Sequence, residues 1–209
     1  MDLGEHKDRI CFREAIPEIA EAARLLDGAV SAHLRGRSDL ARELICLADI
    51  PVIADWVESI LGSKSSHVQY RDVPDGQPHL SVEERVRLRM PGQAEKQGLH
   101  RRDGYNCRFC GIPVIRKEVR ERMRKLYPGS LRWGKRNVER HSAFFAMWVQ
   151  YDHVLPHARG GNNDLDNIVI TCAPCNYGRM SYTLEEVGLA DPRQREPVCS
   201  TWDGLERFR

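Results

Sequence analysis

The chain has no run of about 18 consecutive apolar residues, the minimum for a helix that crosses a membrane, so none of its 209 residues reads as a transmembrane segment. The opening stretch MDLGEHKDRI lacks the apolar centre of a secretory leader, and the expectation is a soluble, cytoplasmic protein. A dominant charge sign is missing too: 32 Lys and Arg against 30 Asp and Glu leave a formal +2, which by itself announces no nucleic-acid partner. Distribution matters more than that total. The length suits one domain, or one domain with a smaller companion.

Cysteine is where the chain is generous. Of seven, Cys107 and Cys110 form one CxxC pair and Cys172 and Cys175 a second, while Cys11, Cys46 and Cys199 read as ordinary buried or free thiols. Two residues between ligands let both sulfurs of a pair reach one ion near about 2.3 Å, and two such pairs make a tetrahedral zinc site. The interval 111–171 between the pairs is far longer than a ribbon spacing, so the fold must carry the second pair back to the first. A redox CxxC and a disulfide pair are the alternatives, both less common inside cells.

The densest stretch is Tyr151 to Arg179, YDHVLPHARGGNNDLDNIVITCAPCNYGR. The run from Ala146 to Tyr151, ending at Asp152-His153 and bounded by Pro156, reads as a strand. Residues 157–167 read as a loop, Ile168 to Thr171 as a second strand, and Cys172 through Glu186 as a helix stopped by Gly188.

These residues resemble the ββα-metal core of the HNH endonucleases: Asp152-His153 ending the first strand, Gly160-Gly161 in the loop, Asn167 before the second strand, and Asn176 after the CxxC. The third motif position, often His in that family, is Asn here, a variant that the family also uses. The resemblance covers roughly residues 101–190 and says nothing of the N-terminal half. It implies hydrolysis of DNA phosphodiesters leaving 5′-phosphate and 3′-hydroxyl ends. It also implies that Asn167 bonds across the loop and holds His153.

The residues suit that chemistry. Phosphodiester cleavage needs a base to take a proton from water and a cation to neutralise charge on the phosphate and the departing oxygen. An unperturbed imidazole titrates near about 6.5, so His153 can be neutral at working pH and accept a proton. Asp152 and Asn176 offer oxygen donors, which favour Mg²⁺ or Mn²⁺. Neighbours on a regular strand point to opposite faces, so Asp152 and His153 meet one phosphate only if the strand becomes irregular before Pro156. Arg159 and Arg179 are candidate phosphate contacts or solvated arginines, and His157 reads as a loop surface residue.

Elsewhere the spacing predicts helices across residues 8–62: a stripe of Ile16, Ile19, Ala20, Ala23 and Leu26, a second segment capped by Ser38, and a third opened by Pro51 and ending near Gly62. Residues 1–62 read as a helical module and 63–80, rich in Ser, Pro, Gly and Asp, as a linker. Ser81 and Glu84 match a capping box opening a short helix that Pro91-Gly92 ends. A nuclease domain at 81–190 then carries an insertion, 111–140, with ten basic residues against three acidic ones. Ile115, Val119, Met123 and Leu126 give it one apolar stripe. Arg120, Arg124, Lys125 and Arg136 could track phosphates, and a solvated charged helix is the even alternative. Residues 191–209 read as a strap anchored by Trp202 and Phe208.

The fold class expected is α+β, a zinc-bound ββα-metal core behind a helical module. The expected substrate is double-stranded DNA, cut by a bacterial or phage-type protein that acts alone, as a homodimer or within a defence or phage complex. A noncatalytic zinc-dependent nucleic-acid-binding module and an RNA-directed nuclease are the rival readings.

Overall fold

A computed structural model describes residues 9–62, 65, 78–87 and 90–208. Most of the expected linker, residues 63–64 and 66–77, lies outside the described residues.

Three helices form the N-terminal part: α1 (Pro17–Leu34), α2 (Ser38–Leu47) and α3 (Pro51–Leu61). Proline opens both α1 and α3 in the first turn, where its missing N–H is no loss. Ser38 is the first helical residue of α2; Arg37 holds the cap position and makes no side-chain cap bond. The apolar stripes face inward, with Ile19, Ala23 and Leu26 of α1 and Ile53, Trp56, Val57 and Ile60 of α3 all buried. Trp56 adds a polar tie, its Nε1 donating to the Glu14 carbonyl at 2.8 Å.

The segment after the linker departs from expectation. Residues 81–87 and Met90 form turns, bends and irregular backbone instead of a helix. Half of the capping box is present, the Ser81 amide donating to Glu84 Oε2 at 2.9 Å. Arg85, however, curls back to the Leu80 carbonyl at 2.9 and 2.7 Å. Val82 is 74 % exposed, so a helix here has no buried stripe to repay its nucleation.

Next come α4 (Gln93–Asp103) and α5 (Lys117–Leu126). Val119 and Met123 of α5 are buried, whereas Leu126, expected in the same stripe, is exposed. The short α6 (Ser142–Ala146) leads into β1 (Val149–His153), which pairs antiparallel with β2 (Ile168–Cys172), His153 opposite Ile168 and Val149 opposite Cys172. The last helix, α7 (Ala173–Arg179), ends well short of Glu186. Met180 turns into the left-handed region with φ of 57°. The chain then reverses so that the Tyr182 carbonyl accepts from Arg179 Nη1 at 2.7 Å. A separate short turn follows, in which Thr183 and Glu186 cap each other reciprocally at 2.8 and 3.2 Å.

The core is continuous from α1 to the C-terminal residues. α3 lies against α6 and α7. Gly178 makes that approach close: a Cβ there stands 2.9 Å from Ile60 Cγ2 and 3.2 Å from Phe12 Cδ2. In the tail, Trp202 Nε1 donates to the Val114 carbonyl at 3.0 Å, and Phe208 is buried beside His33 and Tyr127. Among the described residues no helix is long and apolar enough to cross a membrane.

One buried polar join ties α2 to α6. His141, fully buried, donates from Nε2 to the Ile45 carbonyl at 2.8 Å, and Asp49 accepts from the Ser142 amide at 2.7 Å and from Arg132 Nε at 2.8 Å. Burial holds His141 below its ordinary pKa, against the pull of Asp49. A histidine depressed in the folded state protonates more readily when unfolded. Its contribution is therefore complete above about pH 6.5 and is lost as pH falls toward the folded value. The melting temperature is expected to drop on acidification from pH 7 to 5, and by less in His141→Gln. Parallel pH profiles for the two proteins would contradict this.

Candidate active site and cysteine cluster

The four cysteines of the two CxxC pairs come together. Their Sγ atoms all lie within 4.8 Å of one another, with Cys110 and Cys172 at 3.6 Å. Four sulfurs about a tetrahedral zinc at about 2.3 Å are separated by roughly 3.8 Å, so the donor set and its spacing are compatible with a zinc site. The first knuckle is closed by amide bonds from Gly111 to the Cys107 carbonyl at 2.9 Å and from Cys107 to the Ile112 carbonyl at 2.8 Å. Burial pushes the Cys172 thiol well up, a cost that a bound cation removes. Cys11, outside the cluster, is pushed up by burial to about 11, and Cys46 and Cys199 are exposed.

The approach to the first knuckle serves the sheet. Asp103 is buried, accepts the Ile170 amide at 3.1 Å and is held bidentately by Arg102 at 2.8 and 2.7 Å. Arg108, between the paired cysteines, anchors the tail by donating to the Pro192 carbonyl at 2.6 Å.

Beside the cluster, Asp152, His153 and Asn176 line one cleft of about 920 Å³. β1 keeps a regular register through His153, so no irregularity brings its last two side chains together. Both nevertheless line the cleft, and each has its own partner. Asp152 turns to Arg179, which donates from Nε to Oδ2 at 2.9 Å and from Nη2 to Oδ1 at 2.5 Å. His153 Nε2 meets Asn163 Oδ1 at 2.9 Å. In the tautomer in which Nε2 donates, Nδ1 keeps the lone pair.

Burial moves the two groups in the directions that disfavour charge. Asp152 is pushed up, opposed by Arg179, and His153 is pushed down, opposed by the Asn163 bond. Each Asp152 oxygen accepts one hydrogen bond from Arg179 and retains a further lone pair, so a hard cation can share the carboxylate with the guanidinium.

Asn167 staples the loop between the strands. Its Oδ1 accepts the Leu155 amide at 2.8 Å, and its Nδ2 donates to the Leu155 and Asn162 carbonyls at 3.2 and 2.9 Å. Gly161 has no room for a side chain here, because a Cβ falls 1.8 Å from the Leu155 carbonyl oxygen.

Several arginines are placed differently from their sequence reading. Arg179 is 1 % exposed and also donates to the His153 and Val154 carbonyls, so it braces the end of β1 instead of meeting a phosphate in solvent. Arg120 is buried, its guanidinium 3.5 Å from the Trp133 ring centroid and 4.8 Å from that of Trp148. Trp148 in turn meets Tyr177 of α7 edge to face at 6.2 Å. Arg120 therefore packs, through Trp148, behind α7 and is paired with Glu121. The side chain of Arg159 is 8 % exposed and bound to Glu186 at 3.2 Å. Arg124, Lys125 and Arg136 do lie at the surface.

Asn163 was missed in the sequence. It stands in the polar GGNND loop, but nothing about a ten-residue interval from His153 signals a side-chain bond. The cleft wall contributed by Val82, Val86 and Met90 was missed as well, since those residues read as a helix.

No curated protein and no solved structure matches this chain. Residues 147–186, which contain β1, the loop, β2 and α7, match the family model described as HNH endonuclease.

Proposed function

We propose that the protein is a metal-dependent endonuclease that hydrolyses DNA phosphodiesters. The observation that carries this reading is the convergence of Asp152, His153 and Asn176 on one cleft within the matched segment.

His153 is the general base. With Nε2 directed to Asn163, Nδ1 takes a proton from water as the water oxygen bonds to phosphorus. The O3′–P bond breaks, the departing oxygen takes up a proton, and the ends are a 5′-phosphate and a 3′-hydroxyl. Asn167 holds the loop that carries Asn163, and so positions the base at one remove. Asp152 and Asn176 are the oxygen donors to Mg²⁺ or Mn²⁺. Such an ion supplies charge neutralisation on the phosphate and the departing oxygen. Arg179 keeps the Asp152 carboxylate aimed, and zinc on Cys107, Cys110, Cys172 and Cys175 fastens the start of α7 to the first knuckle. Arg124, Lys125 and Arg136 contribute outlying phosphate contacts.

The test is cleavage of plasmid DNA, of single-stranded DNA and of a structured RNA with Mg²⁺, Mn²⁺, Zn²⁺ or Ni²⁺ supplied singly. DNA is expected to be cut with Mg²⁺ or Mn²⁺, leaving ends that a ligase rejoins. Cutting only with Zn²⁺ or Ni²⁺ would overturn the ion assignment, and cutting of RNA alone the substrate. Folded, zinc-loaded protein that binds DNA but cuts nothing would make this a binding module.

A further inference from the structure

The cleft that holds Asp152 and His153 is covered. Its far wall is the segment 82–87 with Met90, which faces β1 and α7 across the cavity. The segment is pinned on both sides of the catalytic pair. Toward the loop, the Leu80 amide donates to the Ala158 carbonyl at 2.8 Å and His157 Nε2 donates to the Val86 carbonyl at 2.8 Å. Toward the end of α7, His79 Nε2 and Ser181 Oγ are 3.2 Å apart. Leu80 also packs on the loop, its Cδ1 lying 3.2 Å from the Cβ position of Gly160.

Two consequences follow. Asp152 and His153 are only 5 % and 6 % exposed, too little for the backbone of an intact duplex to reach them from outside. A cavity of about 920 Å³ is of the size that encloses a drug-sized molecule. That is room for a short run of nucleotides and not for a double helix. The lining chemistry agrees. Val86, Met90, Tyr177 and Met180 all border the cavity and are all partly exposed, at 37 to 49 %. Apolar and aromatic faces bind unstacked bases, because every base has a π-face, and they have nothing to bind on a duplex whose bases are stacked inward. Arg87, exposed at the same wall, supplies charge for a backbone passing through.

We propose that the substrate of this site is an unpaired DNA strand, threaded between the wall made by residues 82–87 and Met90 and the face made by β1 and α7, with bases laid against Tyr177, Met180, Val86 and Met90. This rests on the nuclease reading and replaces its duplex substrate with a single strand.

The experiment uses the full chain and three fluorescent oligonucleotides of one sequence: single-stranded, blunt duplex, and duplex with a central unpaired bubble. Binding is measured without added divalent ion and cleavage with Mn²⁺. Single strand and bubble are expected to bind, and to be cut, at least about tenfold better than duplex, with cuts in the bubble confined to unpaired positions. Tyr177→Ala and, separately, Arg87→Ala are expected to weaken single-strand binding roughly tenfold and severalfold, the former within the range for loss of one base–aromatic stack. Arg87 is exposed and outside the core, so its variant remains informative should Tyr177→Ala fold poorly. Equal or better binding and cutting of the blunt duplex would overturn the proposal. Cleavage of no DNA with single-strand binding intact would instead sink the nuclease reading and leave the strand preference standing. Tighter binding of the same sequence as RNA would also overturn it.

Discussion

His153→Ala is expected to lower the rate of DNA cleavage by at least about 100-fold, the lower end of what a positioned general base contributes. The substitution removes an imidazole that borders the cleft and whose Nε2 is held by Asn163 at 2.9 Å. His157 borders the same cleft, with ring centroids 5.8 Å from His153 and its Nε2 on the Val86 carbonyl at 2.8 Å, so His157→Ala is the companion variant and is expected to keep most of the activity. Zinc content and far-ultraviolet circular dichroism should be unchanged, because the ring contributes nothing to the cysteine cluster and little to the core. Retention of more than about a tenth of the wild-type rate would remove His153 as base. Full loss accompanied by loss of zinc would mean that the variant had unfolded, and His153→Asn is then the variant to read.

The second large effect concerns the cysteines. Stripping zinc with a strong chelator, or the substitution Cys175→Ser, is expected to unfold the region around 101–190. Apparent binding energies of structural zinc are on the order of 10 kcal/mol, comparable with the whole stability of a small domain. The geometry explains why little else can compensate. β2 ends at Cys172, α7 begins at Ala173, and the knuckle Cys107–Cys110 is tied to β2 mainly through the Arg108 amide on the Ile170 carbonyl at 2.8 Å and through Asp103. Without the cation, four sulfurs remain packed within 4.8 Å of one another and any thiolates among them repel. Elemental analysis should give one zinc per chain, and chelation should lower the melting temperature by tens of degrees. An unchanged melting temperature in metal-free protein would show that the cluster is structural without a metal.

Much of the matched segment was legible because its signals are local. A CxxC spacing places two sulfurs on one knuckle whatever surrounds it, and β-branched runs bounded by Pro156 and by the Gly160-Gly161 loop mark two short strands, the first of which starts at Val149 and not at Ala146, which ends α6. The capping signals were less dependable. Ser81 and Glu84 do bond, yet no helix follows, since a box supplies only a few tenths to about 2 kcal/mol and Val82 finds no core to bury against. Thr183 and Glu186, not singled out, do make the reciprocal pair.

The roles of the arginines were not legible. Arg179 and Arg120 look like surface cations in a basic stretch. One is paired with a carboxylate 27 residues away, and the other lies under two tryptophans 13 and 28 residues on. Burying a guanidinium requires several acceptors or ring faces to arrive together, and composition does not say which residues those are.

By itself, then, the order of residues determined the chemistry that the chain carries: four thiols in two knuckles, and an Asp-His pair, two Asn and a strand–loop–strand–helix run to display them. Tertiary structure decided what that chemistry can reach. It placed α3 behind α7, turned Asp152 to Arg179 and His153 to Asn163, and brought residues 82–87 and Met90 to the wall of the cleft. The difference has one physical cause. Ligand spacing and strand pattern depend on bond geometry over a few residues, whereas exposure, pairing and access depend on packing between segments that the chain keeps tens of residues apart.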